Sequence, residues 1–293
     1  MKKSTQWMFA SLNSLTPAER LKRKGKDFPN PFSLAELYHE NSKYHPNLMS
    51  YQMPLHQYAT PDYAKMRRKD YVDLPSLKEL PSLPVPLGEV LKRRRSEWDF
   101  ALPVTFEQLA QVLQHAWGVS AYKPVQDHDG STFDLRLRTY PSGGALYPIQ
   151  MIIYAQQVEG LQSGLYQFSA FDNRLYRISG ELDPDSFSRL TPSTDPDRNP
   201  IYPGSDFRKA AFFCFLYADF TNQADKYGLR AYRLALLEAG HAAQNLLLVT
   251  TALQLKSVPL AGFYDDRAHQ LLQLNGVDQA LLYIIPVGKS KET

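Results

Sequence analysis

Cysteine is almost missing from this chain: Cys214 is the single one. One thiol forms no internal bridge, so the fold must hold without disulfides, and a reducing compartment fits. Its setting in AAFFCFLY makes it a small buried hydrophobe, not a nucleophile or a ligand. The excess of basic over acidic residues is also small, a formal net charge of +3. So weak an excess gives no electrostatic footprint for nucleic acid, and no nucleic-acid partner is expected. No apolar run approaches the ~20 residues of a membrane-spanning helix, so no membrane partner is expected either. The opening MKKSTQWMFA lacks the apolar core of a secretory signal, and a soluble cytoplasmic protein is expected. His, Asp and Glu fall at no metal-ligand spacing, so no metal site is expected. A P-loop ending, a Rossmann fingerprint and a Gly-x-Ser-x-Gly elbow are all absent.

What is present suits a large core. Hydrophobic residues make up 43% and aromatic residues 12%, enough for one large domain with an N-terminal appendage. Residues 1–84 read as a helical and extended arm. Thr16 with Glu19, and Ser33 with Glu36, have the spacing of capping boxes. A Pro-, Tyr- and charge-rich stretch then runs to PSLPVPL, and its composition predicts an arm laid over something larger.

Residues 85–293 read as the main domain. PLGEVLKRRRSEWDF is expected to be a helix with a basic end. TFEQLAQVLQHAWGV is another, with Thr105 and Gln108 as a capping box and Gly118 as its stop. KPVQDHDGS reads as a loop. DLRLRTYP, ALYPIQMIIYAQQV (centred on Met151–Ala155), GLYQF, NRLYRI, KAAFFCFLYADF and ALLYIIPVG read as strands, with FDN turning a hairpin. Gly180–Phe207 is long for a structureless connection and is expected to hold short helices or a lid. Helices and antiparallel-leaning strands are interspersed, which indicates an α+β fold.

The chain is organised around residues 226–255, KYGLRAYRLALLEAGHAAQNLLLVTTALQL. Leu234, Leu237, Ala242, Leu246, Val249 and Leu253 recur at helical spacing, which predicts one long core helix entered at Tyr227 or Gly228. Gly240 sits inside it at a cost of roughly 1 kcal/mol, a cost offset where a backbone or ligand comes close. Glu238, His241, Gln244 and Asn245 are polar, and each needs a partner if buried.

Three pieces resemble ligand-binding material. Arg93, Arg94, Arg95 and Ser96 can hold a phosphate through forked, charge-assisted hydrogen bonds, although such a run is also an ordinary solvated face. In Pro141–Pro148, Gly143 and Gly144 let backbone amides face a ligand and Ser142 adds a donor; a tight turn before a strand is the plainer alternative. Lys226 and Tyr227, at the head of the long helix, can move protons beside a desolvated flat ligand, or simply begin the helix. Tyr147 and Phe263 are candidate pocket walls as well as candidate core.

The ordered set RRRSEWDF, PSGGALYPIQ, GLYQF, residues 226–255 and YIIPVG resembles the FMN-dependent nitroreductase superfamily, and within it the SagB-type dehydrogenases, which oxidise azolines in peptide pathways. ELYHENSK resembles the N-terminal segment of that branch. The resemblance implies a nitroreductase-like α+β fold, a mostly antiparallel central sheet flanked by helices, with an N-terminal extension. It implies a homodimer with FMN at the subunit interface, a peptide substrate and a cyclodehydratase-like partner. It places Arg94 and Ser96 at the FMN phosphate or ribityl chain, Arg95 at a neighbouring position that contacts the cofactor, and Lys289 at the phosphate. Ser142, Gly143 and Gly144 fall beside the isoalloxazine, and Glu238 and Gly240 near its pyrimidine and N5 edge. Lys226 and Tyr227 match the pair that takes a proton while hydride leaves for the flavin. Trp98 stands where the family has a second basic residue, and Gln150 where it often has Glu. An FMN oxidoreductase of another small molecule (a quinone, a nitroarene or a biosynthetic intermediate) and a non-catalytic partner subunit remain open alternatives.

Overall fold

The computed structural model describes residues 38–39, 41–43, 70–101, 103–126, 130–183, 185–195 and 206–289. Their elements run β1 (Tyr71–Asp73), α1 (Leu87–Arg93), β2 (Val104–Thr105), α2 (Phe106–Trp117), β3 (Val119–Gln126), β4 (Thr132–Arg138), β5 (Ile149–Ala155), β6 (Val158–Glu159), β7 (Gly164–Ser169), β8 (Arg174–Ser179), α3 (Asp185–Ser188), β9 (Phe212–Asp219), α4 (Thr221–Tyr227), α5 (Arg230–Ala252), β10 (Lys256–Ser257), α6 (Asp265–Leu272) and β11 (Gln279–Gly288). Seven strands form one sheet in the order β1-β8-β7-β5-β9-β11-β10. Every neighbouring pair in it is antiparallel. This is the expected α+β class.

The central strands β5 and β9 are buried at nearly every position and mostly apolar, because helices cover both faces. Side chains alternate along a strand. In β9, Phe212, Cys214, Leu216 and Ala218 point into a core shared with α2 and α5. Phe213, Phe215 and Tyr217 point into a second core with Phe187, Leu190, Ala268 and Leu272. Cys214 is fully buried, and burial pushes its thiol far above the ordinary range, which fits the inert role expected of it.

α2 begins as its sequence predicts. Thr105 Oγ1 accepts from the Gln108 N–H, and Gln108 Oε1 accepts from the Thr105 N–H, each at 3.2 Å. Gly118 closes the helix. Other expectations need correction. α1 stops at Arg93, and Arg94 turns the chain into extended backbone. KPVQ continues β3 instead of forming a loop. β3 and β4 make a two-stranded ribbon of their own. Tyr71–Asp73, read as part of the arm, adds an edge strand beside β8. Thr16 and Ser33 lie outside the described residues, as does part of Gly180–Phe207; α3 occupies the described part.

The largest correction concerns the long helix. Gly228 takes φ 55° and ψ −139°, a backbone state that side chains with a Cβ avoid. The helix therefore breaks there, and Lys226 and Tyr227 end the short α4 instead of heading α5. The break is clamped from outside. Tyr38 Oη donates to the Leu229 carbonyl at 3.1 Å, and Arg230 Nη1 donates to the Ser42 carbonyl at 3.0 Å. Arg233 Nη2 reaches Ser42 Oγ at 2.7 Å. The Tyr38 ring meets Tyr232 edge-on at 5.6 Å.

Candidate active site

β4 delivers the chain into the glycine bend. Gly144, Ala145 and Tyr147 all have positive φ, at 66°, 54° and 49°. Outside glycine such a state costs on the order of 1–3 kcal/mol and persists only where neighbours enforce it. Here they do. Ser142 Oγ accepts from the Tyr147 N–H at 2.9 Å, Gln150 Nε2 donates to the Tyr147 carbonyl at 2.8 Å, and Tyr147 Oη accepts from the Arg138 N–H at 2.8 Å. Tyr147 is buried in the core cluster, so it braces the bend instead of walling a pocket. Phe263 packs partly buried against the second core.

The bend lies directly on the Lys–Tyr pair. A Cβ built on Gly144 would stand 2.6 Å from Tyr227 Oη and 2.7 Å from Lys226 Nζ. A Cβ there would push the ends of both side chains away, and the positive φ strains any residue but glycine. Gly144→Ala is therefore expected to lower stability by about 1–3 kcal/mol and to displace both side chains. Thermal melts and steady-state rates measured together check this; an unchanged melt would mean that the bend yields freely. Lys226 is buried, and desolvation lowers its ammonium to about 8. Its Nζ stands 5.5 Å from the centroid of the Tyr227 ring.

Glu238 enters from α5. It is 3% exposed, and its Oε2 accepts from Ser142 Oγ at 2.5 Å. Burial raises its carboxyl to about 7, against the opposing pull of the Ser142 hydroxyl, the Arg138 guanidinium and the Ile149 backbone. Glu238 thus fixes Ser142 from behind. Gly240 does not share that setting. It is half-buried on α5, with open space where its Cβ would be.

Sequence reading passed over Gln223. It lies one turn before Lys226 and Tyr227, on the same side of α4. It is fully buried, and its Nε2 would sit 3.9 Å from a Cβ on Gly143. Among the described residues neither its Nε2 nor its Oε1 finds a hydrogen-bond partner.

The basic pieces collect elsewhere. The Glu97 N–H donates to the Ser257 carbonyl at 3.1 Å, and the Ala101 N–H to the Lys289 carbonyl at 2.8 Å. Arg94–Ser96 and Lys289 therefore flank the β10–β11 edge. Arg94 and Lys289 are half-buried, while Arg95 and Ser96 are exposed. Arg95 Nη1 donates to the carbonyls of Lys92 and Arg94 at 3.0 and 2.7 Å. Lys256, also missed, pairs with Glu97. Trp98 supplies no cation there; it stacks on Phe207 at 6.0 Å. This edge is tied to the far end of α5, where Ser257 Oγ meets Thr250 Oγ1 at 2.7 Å. Twelve residues of helix separate Thr250 from Glu238, or roughly 18 Å of rise. Within one chain, the bend and the basic edge sit on opposite halves of α5.

Residues 91–289 match the model of the nitroreductase family. The chain belongs to that family. As a nitroreductase-family oxidoreductase it is similar to MJ1384 of Methanocaldococcus jannaschii, a protein named as a nitroreductase, with 27% identity over 75% of this chain and 97% of the relative. It is 30% identical to the Microcin B17-processing protein McbC of Escherichia coli, over 47% of this chain and 49% of McbC. That likeness agrees with the SagB-type branch. Among solved structures, a nitroreductase-family protein from Anabaena variabilis covers 91% of this chain and 49% of its own, with a TM-score of 0.62 and 20% identity. A chain of the E. coli microcin synthetase McbBCD complex covers 93% of this chain and 86% of its own, with a TM-score of 0.54 and 21% identity. Both share the fold. Among the described residues no His, Cys, Asp and Glu group could hold a metal, and no helix is long and apolar enough to cross a membrane.

Proposed function

We propose that this nitroreductase-family chain is an FMN-dependent dehydrogenase that converts azoline rings of a modified peptide to azoles. One observation carries the reading: the bare Gly143–Gly144 bend lies against a buried Lys226 and its neighbour Tyr227. The McbC likeness supports it. The residues fit the cofactor. Arg94, Arg95, Ser96 and Lys289 offer charge and donors to its phosphate, and the side-chain-free bend leaves backbone amides open to a flat ring. Ser142, whose hydroxyl is committed to Glu238 and the Tyr147 N–H, would hold the shape of that surface.

Bound FMN supplies a two-electron acceptor for the hydride. This chain's part is positional and protic. Burial keeps a share of Lys226 neutral near pH 8, so Lys226 or Tyr227 can take the proton that leaves the azoline carbon. The ring gives up a hydride and a proton together, and aromatisation follows. Tyr227 Oη and Lys226 Nζ both reach the bend, so the pair can hold the substrate over the same surface. The freshly purified protein is expected to be yellow, and an azoline-bearing peptide is expected to bleach it without oxygen. A fully loaded protein that keeps its colour would remove this substrate assignment. The nitroreductase name of the M. jannaschii relative favours a second reading, an FMN oxidoreductase of a small molecule. Rapid bleaching by NAD(P)H, and none by the peptide, would select it.

The active form is proposed to be a homodimer. Leu229, just before α5, and Tyr232, Leu236 and Leu237 on it are exposed, and such an apolar stripe marks an interface. A twofold pairing along α5 would bring one subunit's basic edge toward its partner's bend. Gly240, with open space over it, belongs to the same face. Leu236→Asp should halve the mass seen by sedimentation and release FMN; a dimer that survives it would place the contact elsewhere. By analogy with McbC inside McbBCD, a cyclodehydratase-like partner is proposed, and co-purification with such a protein tests it.

A further inference from the structure

Gln223 is the part of the site that the reaction above leaves unused. A buried amide group without a partner costs about 1–3 kcal/mol, and Gln223 buries both a donor and an acceptor unpaired. Packing alone would be served better by Leu or Met, which fill the space without polar atoms. Unmet groups of this kind in a folded protein call for a functional explanation. The carboxamide is not stranded in the core at large. Gly143 borders it, and a Cβ there would come only to ordinary contact, at 3.9 Å from Nε2. The side chain also shares one side of α4 with Lys226 and Tyr227.

We propose that Gln223 reads the main chain of the peptide substrate beside the reacting ring. Its carboxamide pairs with the N–H and C=O of one extended residue next to the azoline. This rests on the azoline reading of the site. The chemistry matches on both sides. An extended residue presents its N–H and C=O along one edge, as in an antiparallel ladder. A carboxamide presents one donor and one acceptor side by side. With no partner among the described residues to fix its orientation, the group can turn to suit either chain direction. Lys226 and Tyr227 act on the ring itself, so a reader one helical turn away would meet the residue beside it. A site built this way discriminates strongly against ligands that leave its polar groups unmet. It would therefore accept the azoline within a peptide and hold a free azoline poorly.

The test uses FMN-loaded full-length protein and the variants Gln223→Leu and Gln223→Met. Four quantities are measured: flavin content by absorbance, melting temperature, the Kd of a labelled azole-bearing product peptide by anisotropy, and kcat and KM with the azoline peptide. Expected are an unchanged or higher melting temperature, unchanged flavin content, and a kcat within a few-fold of wild type. Kd and KM should both rise roughly tenfold or more, the worth of one or two buried hydrogen bonds. A peptide N-methylated at the flanking residue should weaken wild type by a similar factor and the variants hardly further. Unchanged Kd in both folded variants overturns the proposal. So does a fall in flavin content, which would assign Gln223 to the cofactor. If wild type binds flavin but neither bleaches with azoline peptide nor binds the azole, the substrate reading itself has failed and the proposal falls with it.

Discussion

Lys226→Ala is expected to lower kcat for azoline oxidation by roughly 10²–10⁴-fold, the usual worth of a positioned general base, while the protein stays yellow. The residue is placed by the end of α4 against Gly144, well away from the basic edge that would hold the phosphate. Removing it should therefore spare cofactor binding. Only the neutral amine can take a proton, and burial brings its ammonium down to about 8. The wild-type rate should accordingly climb with pH and level off above about 8. That limb should vanish in the variant, leaving a flat residual rate. Tyr227→Phe should keep the limb and lose less. A Lys226→Ala enzyme with wild-type kcat and the same pH profile would remove Lys226 from the chemistry and leave the proton to Tyr227 or to water.

Glu238→Gln is expected to stabilise the protein at pH 8 by about 3 kcal/mol relative to wild type. Burial raises the carboxyl from 4.5 to about 7 in the folded chain. Between those values the folded state binds more protons than the unfolded one, so wild-type stability falls as pH rises. Below 4.5 both states are protonated and no penalty remains; above about 7 it is complete. Glutamine keeps an oxygen for the Ser142 hydroxyl and has no charge to desolvate. Denaturant titrations at pH 4.5 and pH 8 decide the matter. The variant's advantage should be absent at the first and full at the second, and an advantage equal at both would mean that ionisation of Glu238 is not its cause. Lys226 titrates in a separate window, from about 8 to 10.5, where losing its proton relieves burial and wild-type stability rises.

Local chemistry made much of the fold legible. The capping pair Thr105 and Gln108 fixed the start of α2, and Gly118 its end. The largely apolar runs announced β5 and β9 as buried central strands. Cys214 lies in the core as its neighbours require. The break between α4 and α5 was harder to see, because Ala and Leu continue at helical spacing beyond it. Only a positive φ at Gly228, together with the clamp from Tyr38 and Ser42, ends the helix. With α4 unrecognised, Gln223 had no face to lie on. The tie between Ser142 and Glu238 spans 96 positions, and no local pattern encodes it. The family resemblance grouped Arg94 with Glu238 because it implies one cofactor for both. The structure separates them along α5, a distance that sequence order does not record.

The order of strands also bears on how the chain matures on the ribosome. β11, the last strand described, inserts between β9 and the two-residue β10. Until Gly288 has cleared the exit tunnel, one edge of β9, with Phe213 and Phe215 beside it, stays open and greasy. Such an edge invites pairing with foreign strands. Chains truncated before β11 should therefore be held by chaperones or clump, whereas released chains that carry it should not.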